Sequence, residues 1–116
     1  MSRKVRLPWF DGLPCSVTVC DRDYTILYLN DRSAEVNASD GGKSLVGQNL
    51  LDCHPADARK KLRRVMASRR PNVYTIEKKG ARKVIFQAHW KQRGRSAGLV
   101  EITFELPPRM PHFIRS

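Results

Sequence analysis

The order of its segments predicts that this 116-residue chain folds as an α+β domain. Two short segments rich in β-branched residues come first, helical segments follow, and three longer segments with alternating apolar residues come last. A length of 116 residues suits one domain with one core. The apolar fraction of 41% argues against disorder, and no apolar run approaches the roughly 18 residues that would span a bilayer.

The first two strands are expected to pair as a hairpin. Residues 16–20 form a β-branched segment, residues 21–23 supply a polar turn, and residues 25–29 form the second strand. Asn30 or Asp31 can cap a short helix, because a side-chain oxygen there accepts from a free backbone N–H. Residues 37–44 predict a loop.

The clearest helix signal begins at Pro55, a residue suited to the first helical position. Asp57 in the first turn complements the positive end of the helix dipole. A stripe at i, i+4, i+7 and i+8 is apolar and predicts the buried side, formed by Ala58, Leu62, Val65 and Met66.

The last forty or so residues predict an antiparallel meander with strands at 72–77, 82–91 and 98–106 and turns at 78–80 and 92–95. In the second strand an apolar face alternates with a polar face that includes Gln87 and His89, and Ile85 breaks the alternation. The apolar faces of the last two strands are Val84, Phe86, Ala88 and Trp90, and Val100, Ile102, Phe104 and Leu106; of these we expect Phe86, Trp90, Ile102 and Phe104 to be core.

The net charge of +11 is concentrated in the second half of the chain. Residues 1–58 carry six bases and eight acids, a balance of −2, whereas residues 59–116 carry sixteen bases and three acids, a balance of +13. Such a half can attract nucleic acid, anionic lipid or an acidic protein, or it can be a solvated face. The centre of the surplus is a basic patch of Arg59, Lys60, Arg63, Arg64, Arg69 and Arg70.

Cys53 and His54 are the most chemically suggestive neighbours in the chain. Several roles are open: a capping His beside a small buried Cys, contacts to a ligand, a Cys–His nucleophile, or ligation of haem or a metal by His54. No spacing of the three cysteines matches a zinc site, so no metal site is expected. Three cysteines also make no disulfide framework, so we expect reduced thiols and a cytoplasmic protein.

Four segments in a fixed order resemble the PAS sensory domain family. Residues 13–23 are similar to its opening strand and turn, and residues 24–30 to its second strand, which ends in Asn. Leu45-Val46-Gly47-Gln48-Asn49-Leu50 is similar to the segment before the long PAS helix, and residues 94–100 to the entry of the last strand. The resemblance covers residues 13–106, between an arm at 1–12 and a tail at 107–116.

The resemblance implies a five-stranded antiparallel sheet of order 2-1-5-4-3, with helices packed on one face. It also implies a small-molecule pocket between the sheet and the long helix, in a module of bacterial signalling proteins. Because the chain is expected to stand alone, its output would pass through a homodimer or a signalling partner. The implied pocket candidates are Leu29, Asn30, Cys53, His54, Leu62, Met66, Phe86, Ile102 and Phe104.

The first functional interpretation is therefore a non-catalytic sensory and protein-interaction module. No cofactor is required by the sequence, although some family members hold haem or flavin. The alternative is a basic protein that binds nucleic acid through the Arg59–Arg70 surface, with an affinity that falls steeply with salt. A third interpretation is a small enzyme or redox sensor built on Cys53 and His54.

Overall fold

The computed structural model describes residues 8–116, so the first seven residues of the predicted arm lie outside the described residues. Five strands and two helices follow the predicted order. Three single 3₁₀ turns lie between the helices, at Ala38–Asp40, Gly42–Leu45 and Leu50–Cys53. The strands and helices are β1 (Ser16–Asp21), β2 (Ile26–Leu29), α1 (Asp31–Val36), α2 (Ala56–Ala67), β3 (Asn72–Lys78), β4 (Ala81–Gln92) and β5 (Arg95–Glu105).

The strands form one antiparallel sheet in the order β2-β1-β5-β4-β3, which confirms the predicted fold. Two-residue turns join β3 to β4 and β4 to β5. Both turns place a non-glycine residue and then a glycine at positive φ, Lys79-Gly80 at 52° and 80° and Arg93-Gly94 at 53° and 78°. This geometry suits the right-handed twist of paired strands, so these turns fix the register of the meander.

Helix α1 begins where the sequence predicts. The side chain of Asn30 accepts a hydrogen bond from the backbone N–H of Ser33 at 2.9 Å, so Asn30 is the N-cap. Thr18 and Ser33 are joined through their hydroxyl oxygens at 2.6 Å, which ties α1 to β1. The helix therefore lies on the same face of the sheet as Thr18.

Helix α2 begins at Ala56, with Pro55 as its extended N-cap, one residue later than the sequence predicts. The predicted apolar stripe faces the sheet: Val65 and Met66 are buried and join Cys20 and Leu99 in a core cluster. A second cluster of Ile26, Leu29 and Leu45 lies under the turns that follow α1.

The helices cover the opposite sheet face from the one that the alternation suggested. His89 on β4 contacts the carbonyl of Val65 on α2, and Cys20 and Leu99 pack against that helix. Successive residues of a strand point to opposite faces, so residues two apart share a face. Gln87 is two residues from His89 and Glu101 is two residues from Leu99, so both also lie on the helix side. The apolar row that includes Phe86, Ala88, Trp90, Val100, Ile102 and Phe104 therefore lies on the outer face, and the expectation that it packs under the helices is wrong.

Ile85, which breaks the alternation, is 7% exposed on the helix side and supplies apolar area there. Within residues 8–116, no helix is both long enough and apolar enough to cross a membrane.

Candidate functional site

A cleft of about 670 Å³ opens between α2 and the sheet. Its helix wall includes Ala58, Leu62 and Val65, and its sheet wall comes from β3, β4 and β5. A volume of this size lies within the range of small-molecule sites in proteins. The cleft lies between the sheet and the long helix, where the family resemblance implies a small-molecule pocket.

The floor of the cleft is a line of three polar side chains across three strands. Asn72, Gln87 and Glu101 are paired across β3, β4 and β5 in the sheet register. Asn72 Nδ2 donates to Gln87 Oε1 at 2.9 Å, and Gln87 Nε2 donates to Glu101 Oε2 at 2.9 Å. The bond from Asn72 orients the amide of Gln87, and the bond from Gln87 in turn holds the carboxylate of Glu101 in position.

Three cationic side chains line the same cleft. Lys61 and Arg64 come from α2, and Arg70 comes from the segment before β3. In the part of the chain from residue 8 onward, none of the three forms an ion pair, since the two pairs found there are Arg32–Glu35 and Lys43–Asp31. The cleft therefore has three free cations around a single acid, Glu101.

A smaller pocket of about 120 Å³ continues from the cleft toward the core. His54, Leu62, Gln87 and Glu101 line both spaces, so the pocket adjoins the cleft. The rest of its wall is mixed, with Cys20, Leu50, Leu99 and Val100 beside the polar Thr18 and Asn37. The combined site thus has a wide outer part with three cations and a small inner part whose wall is half apolar and half polar.

Tyr74 on β3 also lines the cleft, and its environment is electrostatically unusual. Partial burial raises the pKa of the Tyr74 phenol above its ordinary value, and the nearby negative charge of Glu101 raises it further. The Tyr74 phenol presents a hydroxyl to the cleft that can donate or accept a hydrogen bond.

His54 lies at the junction of cleft and pocket, but Cys53 does not accompany it. The ring Nδ1 of His54 lies 2.6 Å from the carbonyl oxygen of Leu50, which holds the ring against the preceding turn. Cys53 is exposed, so the expectation that it is a small buried residue is wrong. It is the last residue of a 3₁₀ turn and lines neither the cleft nor the inner pocket, so the structure does not bring a Cys–His pair together in the site.

The surroundings of His54 do not fit a haem. A porphyrin needs a broad apolar slot beside its axial ligand. The side chains around His54 in the cleft include Lys61, Arg64, Gln87 and Glu101, which are polar or charged. Among residues 8–116, no three His, Cys, Asp or Glu side chains cluster as a metal site would require.

Two of the nine predicted pocket residues, His54 and Leu62, line the cleft. Leu29 and Met66 are 2% and 8% exposed in the core clusters, and Asn30 is fully buried with structural hydrogen bonds. The assignments of Phe86, Ile102 and Phe104 to the cleft are wrong, because the strand pleat places them on the outer face.

The polar floor was missed because Gln87 and Glu101 alternate with apolar residues and so resembled a solvent-facing row. One signal in the sequence could have indicated it: Ile85, an apolar residue on that same polar face, which the structure shows to be buried. The structure also places His89 on this face, with Nδ1 at 2.5 Å from Ser96 Oγ and Nε2 at 3.1 Å from the carbonyl of Val65.

The basic patch is divided by α2. Arg64 and Arg70 line the cleft, whereas Arg59, Lys60, Arg63 and Arg69 do not. Part of the charge surplus therefore belongs to the cleft, and the rest lies on the helix surface and in the segment that follows it.

The outer face of the sheet is a second candidate surface. Its row of apolar side chains includes Val73, which is 56% exposed, and Phe104, which is 41% exposed. The described helices all lie on the opposite face, so they leave this row open. Exposed apolar area of this kind marks interaction surfaces.

Comparison with known proteins agrees with this geometry. A family model described as "PAS fold" matches residues 10–90 of the chain. No curated protein sequence matches it significantly. Among solved structures, a C-terminal domain from Streptococcus mutans is similar with a TM-score of 0.72 and 22% identity, over 87% of this chain and 82% of that domain.

Two further solved structures come from Vibrio cholerae. A sensory box sensor histidine kinase is similar with a TM-score of 0.66 and 15% identity, over 88% of this chain and 89% of that chain. VqmA bound to DPO is similar with a TM-score of 0.65 and 14% identity, over 85% of this chain and 56% of that chain. At such identities the likenesses show the fold.

Proposed function

The chain belongs to the PAS fold family, and from that premise we propose that it is a non-catalytic sensory module that binds a small molecule in its cleft. The observation that carries the proposal is the site of about 670 Å³ between α2 and the sheet, with its oriented polar floor. Fixed polar groups beside apolar walls are what a specific small-molecule site needs.

The solved relatives support a sensory role. One is a sensor histidine kinase, and another is VqmA with its ligand DPO. This chain covers 56% of the VqmA structure, so the comparison bears on the module and not on the whole of that protein. We extend the proposed module over residues 13–106, because β5 continues to Glu105, beyond the matched region.

A non-catalytic role fits the chemistry of the cleft. Cys53 lies outside the site, which removes the candidate nucleophile. The Nδ1 of His54 already contacts the carbonyl of Leu50. The polar floor is a chain of hydrogen bonds suited to holding a ligand in one orientation.

We place the output of the module at the outer face of the sheet, through a homodimer or a signalling partner in the cytoplasm. A second copy is the favoured occupant, because a wide row of uncharged apolar side chains can pair with its own copy about a two-fold axis. VqmA, which shares the fold, is described as a dimer. β4 and β5 carry cleft residues on one face and this row on the other, so a ligand-induced shift in either strand reaches both surfaces.

Light scattering after size exclusion tests the dimer. Phe104→Glu places a charge on this row at a side chain that is 41% exposed and should convert the dimer to a monomer. Ile114→Glu, at a tail residue that is 91% exposed, is the matched control and should leave the dimer intact. A wild-type protein that is monomeric at all accessible concentrations would contradict the dimer but not the binding proposal.

Native mass spectrometry of purified protein, together with its absorption spectrum, tests the binding proposal. The wild type should retain or take up a small molecule, and Leu62→Trp, which fills the junction of cleft and pocket, should abolish its binding. Leu27→Trp, at a residue that is 45% exposed on β2, is the control and should bind like the wild type. Equal binding by the Leu62→Trp variant would refute the cleft as the site.

A further inference from the structure

The charges of the cleft indicate the chemical class of its ligand, an inference that rests on the proposed function. We propose that the cleft binds a small organic acid, an α-hydroxy or α-amino carboxylate with a short aliphatic body. Three features of the site support this class: the two arginines that line the cleft, the oriented acceptor on its floor and the small size of the inner pocket.

The arginines provide the carboxylate site. Arg64 and Arg70 belong to different segments, before and after the end of α2, yet both line the cleft. Neither has an acidic partner among residues 8–116. A guanidinium presents a planar fork of donors that matches a carboxylate, and Lys61 adds a further positive charge beside them.

The floor provides the acceptor for a ligand donor. Because Asn72 donates to Gln87, and Gln87 donates to Glu101, the direction of the hydrogen-bond chain is set. Glu101 accepts at Oε2, and no group within the described residues donates to its other oxygen. An ionised carboxylate only accepts hydrogen bonds, so this second oxygen of Glu101 can accept one from a hydroxyl or ammonium group of the ligand.

The inner pocket limits the body of the ligand. At about 120 Å³ it admits only a short group, and Cys20, Leu50, Leu62 and Leu99 offer an aliphatic end apolar contacts in a wall that also holds Thr18 and Asn37. An acid oriented by its carboxylate toward Arg64 and Arg70 and by its hydroxyl or ammonium toward Glu101 would direct its aliphatic end here.

Other ligand classes fit the charges less well. A cation would face three positive side chains, and a neutral apolar compound would form no hydrogen bond or ion pair with Glu101, Arg64 or Arg70. A polyphosphate would bring several negative charges close to Glu101, the single acid that lines the cleft. In a monocarboxylate with a neighbouring donor, the carboxylate can pair with the arginines and the donor can bond to Glu101.

Isothermal titration calorimetry on the full chain tests the class with four matched probes. α-Hydroxyisocaproate and leucine carry both groups, isocaproate lacks the donor, and α-hydroxyisocaproamide lacks the charge. We expect the first two to bind, and the amide to bind about tenfold more weakly or worse, because a charged hydrogen bond is lost.

Two pairs of substitutions remove the same charge from different places. Arg64→Gln with Arg70→Gln should abolish the preference for the acid over the amide. Arg63→Gln with Arg69→Gln, outside the cleft, should retain it. Glu101→Gln should reduce the preference for α-hydroxyisocaproate over isocaproate, a ratio that a general loss of stability would not change.

The inference is overturned if the amide binds as tightly as the acid, or if the two arginine pairs have equal effects. It is also overturned if none of the probes binds while native mass spectrometry shows another compound that Leu62→Trp excludes. That last result would leave the proposed function standing. Absence of every small molecule from the cleft would remove both.

Discussion

Asn30 holds the start of the domain together, and its replacement by alanine should be among the most destabilising changes in the chain. Its side chain is fully buried and uses all four of its hydrogen-bonding positions. Oδ1 accepts from the N–H groups of Val17 and Ser33, both at 2.9 Å. Nδ2 donates to the carbonyls of Phe10 at 2.9 Å and Cys15 at 2.8 Å.

The size of the expected loss in stability follows from the two backbone N–H groups that donate to Asn30 Oδ1. Asn30→Ala leaves the N–H groups of Val17 and Ser33 without their partner, and a buried unsatisfied group costs about 1–3 kcal/mol. The expected loss in the free energy of unfolding is therefore about 2–6 kcal/mol, before any loss at the two carbonyls. That is a large part of the about 5–15 kcal/mol by which domains are stable.

Urea denaturation followed by both tryptophan fluorescence and circular dichroism measures this loss. Asn37→Ala is the control, because Asn37 is only half-buried and its amide donates to the carbonyl of Ser33 at 2.9 Å. Its substitution should cost about 0.5–1.5 kcal/mol. Equal effects of the two substitutions would refute the reasoning that four bonds at Asn30 join the arm, β1 and α1.

Three further predictions concern close packing, thiol access and a phenol that donates to a carboxylate. Gly98→Ala should lower the free energy of unfolding by about 3 kcal/mol or more. The reason is that φ of Gly98 is +148° and the new Cβ would lie 1.9 Å from the carbonyl oxygen of Cys20. An unchanged urea denaturation curve would contradict this prediction. A thiol reagent at pH 8 should modify the exposed Cys53 of the native protein quickly. It should modify Cys20 only after unfolding, because Cys20 is buried and burial raises the pKa of its thiol. Mass spectrometry of the labelled peptides measures both reactions. Desolvation and a hydrogen bond to Asp11 raise the pKa of the Tyr28 phenol in the folded protein. Below about pH 10 the phenol is protonated in both the folded and the unfolded protein, and just above that pH it loses its proton only in the unfolded protein. The stability advantage of the wild type over Tyr28→Phe should therefore shrink as pH rises through that value, and a constant advantage would count against the contact.

Local chemistry made the element order predictable. Lys79-Gly80 and Arg93-Gly94 adopt the turn that their residues favour, and Asn30 caps α1 as its side chain allows. These features depend on a few neighbouring residues, so they can be deduced without knowledge of the packing. The sheet order came instead from the family resemblance.

The contents of the cleft could not be predicted in the same way. Alternation assigns Phe86 and Gln87 to opposite faces, but it does not say which face the helices cover. That choice depends on contacts distant in sequence, such as the one between His89 and the carbonyl of Val65. In this chain the helices cover the more polar face, and so Glu101 belongs to the candidate site.

The role of the remaining basic surface is still a prediction. If Arg59 and Arg63 hold nucleic acid, the affinity should fall steeply as salt rises. Fluorescence anisotropy with labelled duplexes over a range of salt would test it. Binding that is absent at low salt would contradict the prediction, without affecting the cleft.

Methyl NMR of the isotope-labelled protein, titrated with a mixture of small acids, amides and amines, tests the central claim most directly. Leu62 and Leu99 report on the cleft, and Val84 and Ile102 report on the outer face of the same sheet. The account predicts that the methyl signals of Leu62 and Leu99 shift first and saturate with the bound compound. Shifts confined to Val84 and Ile102, or no shift with any compound, would contradict it.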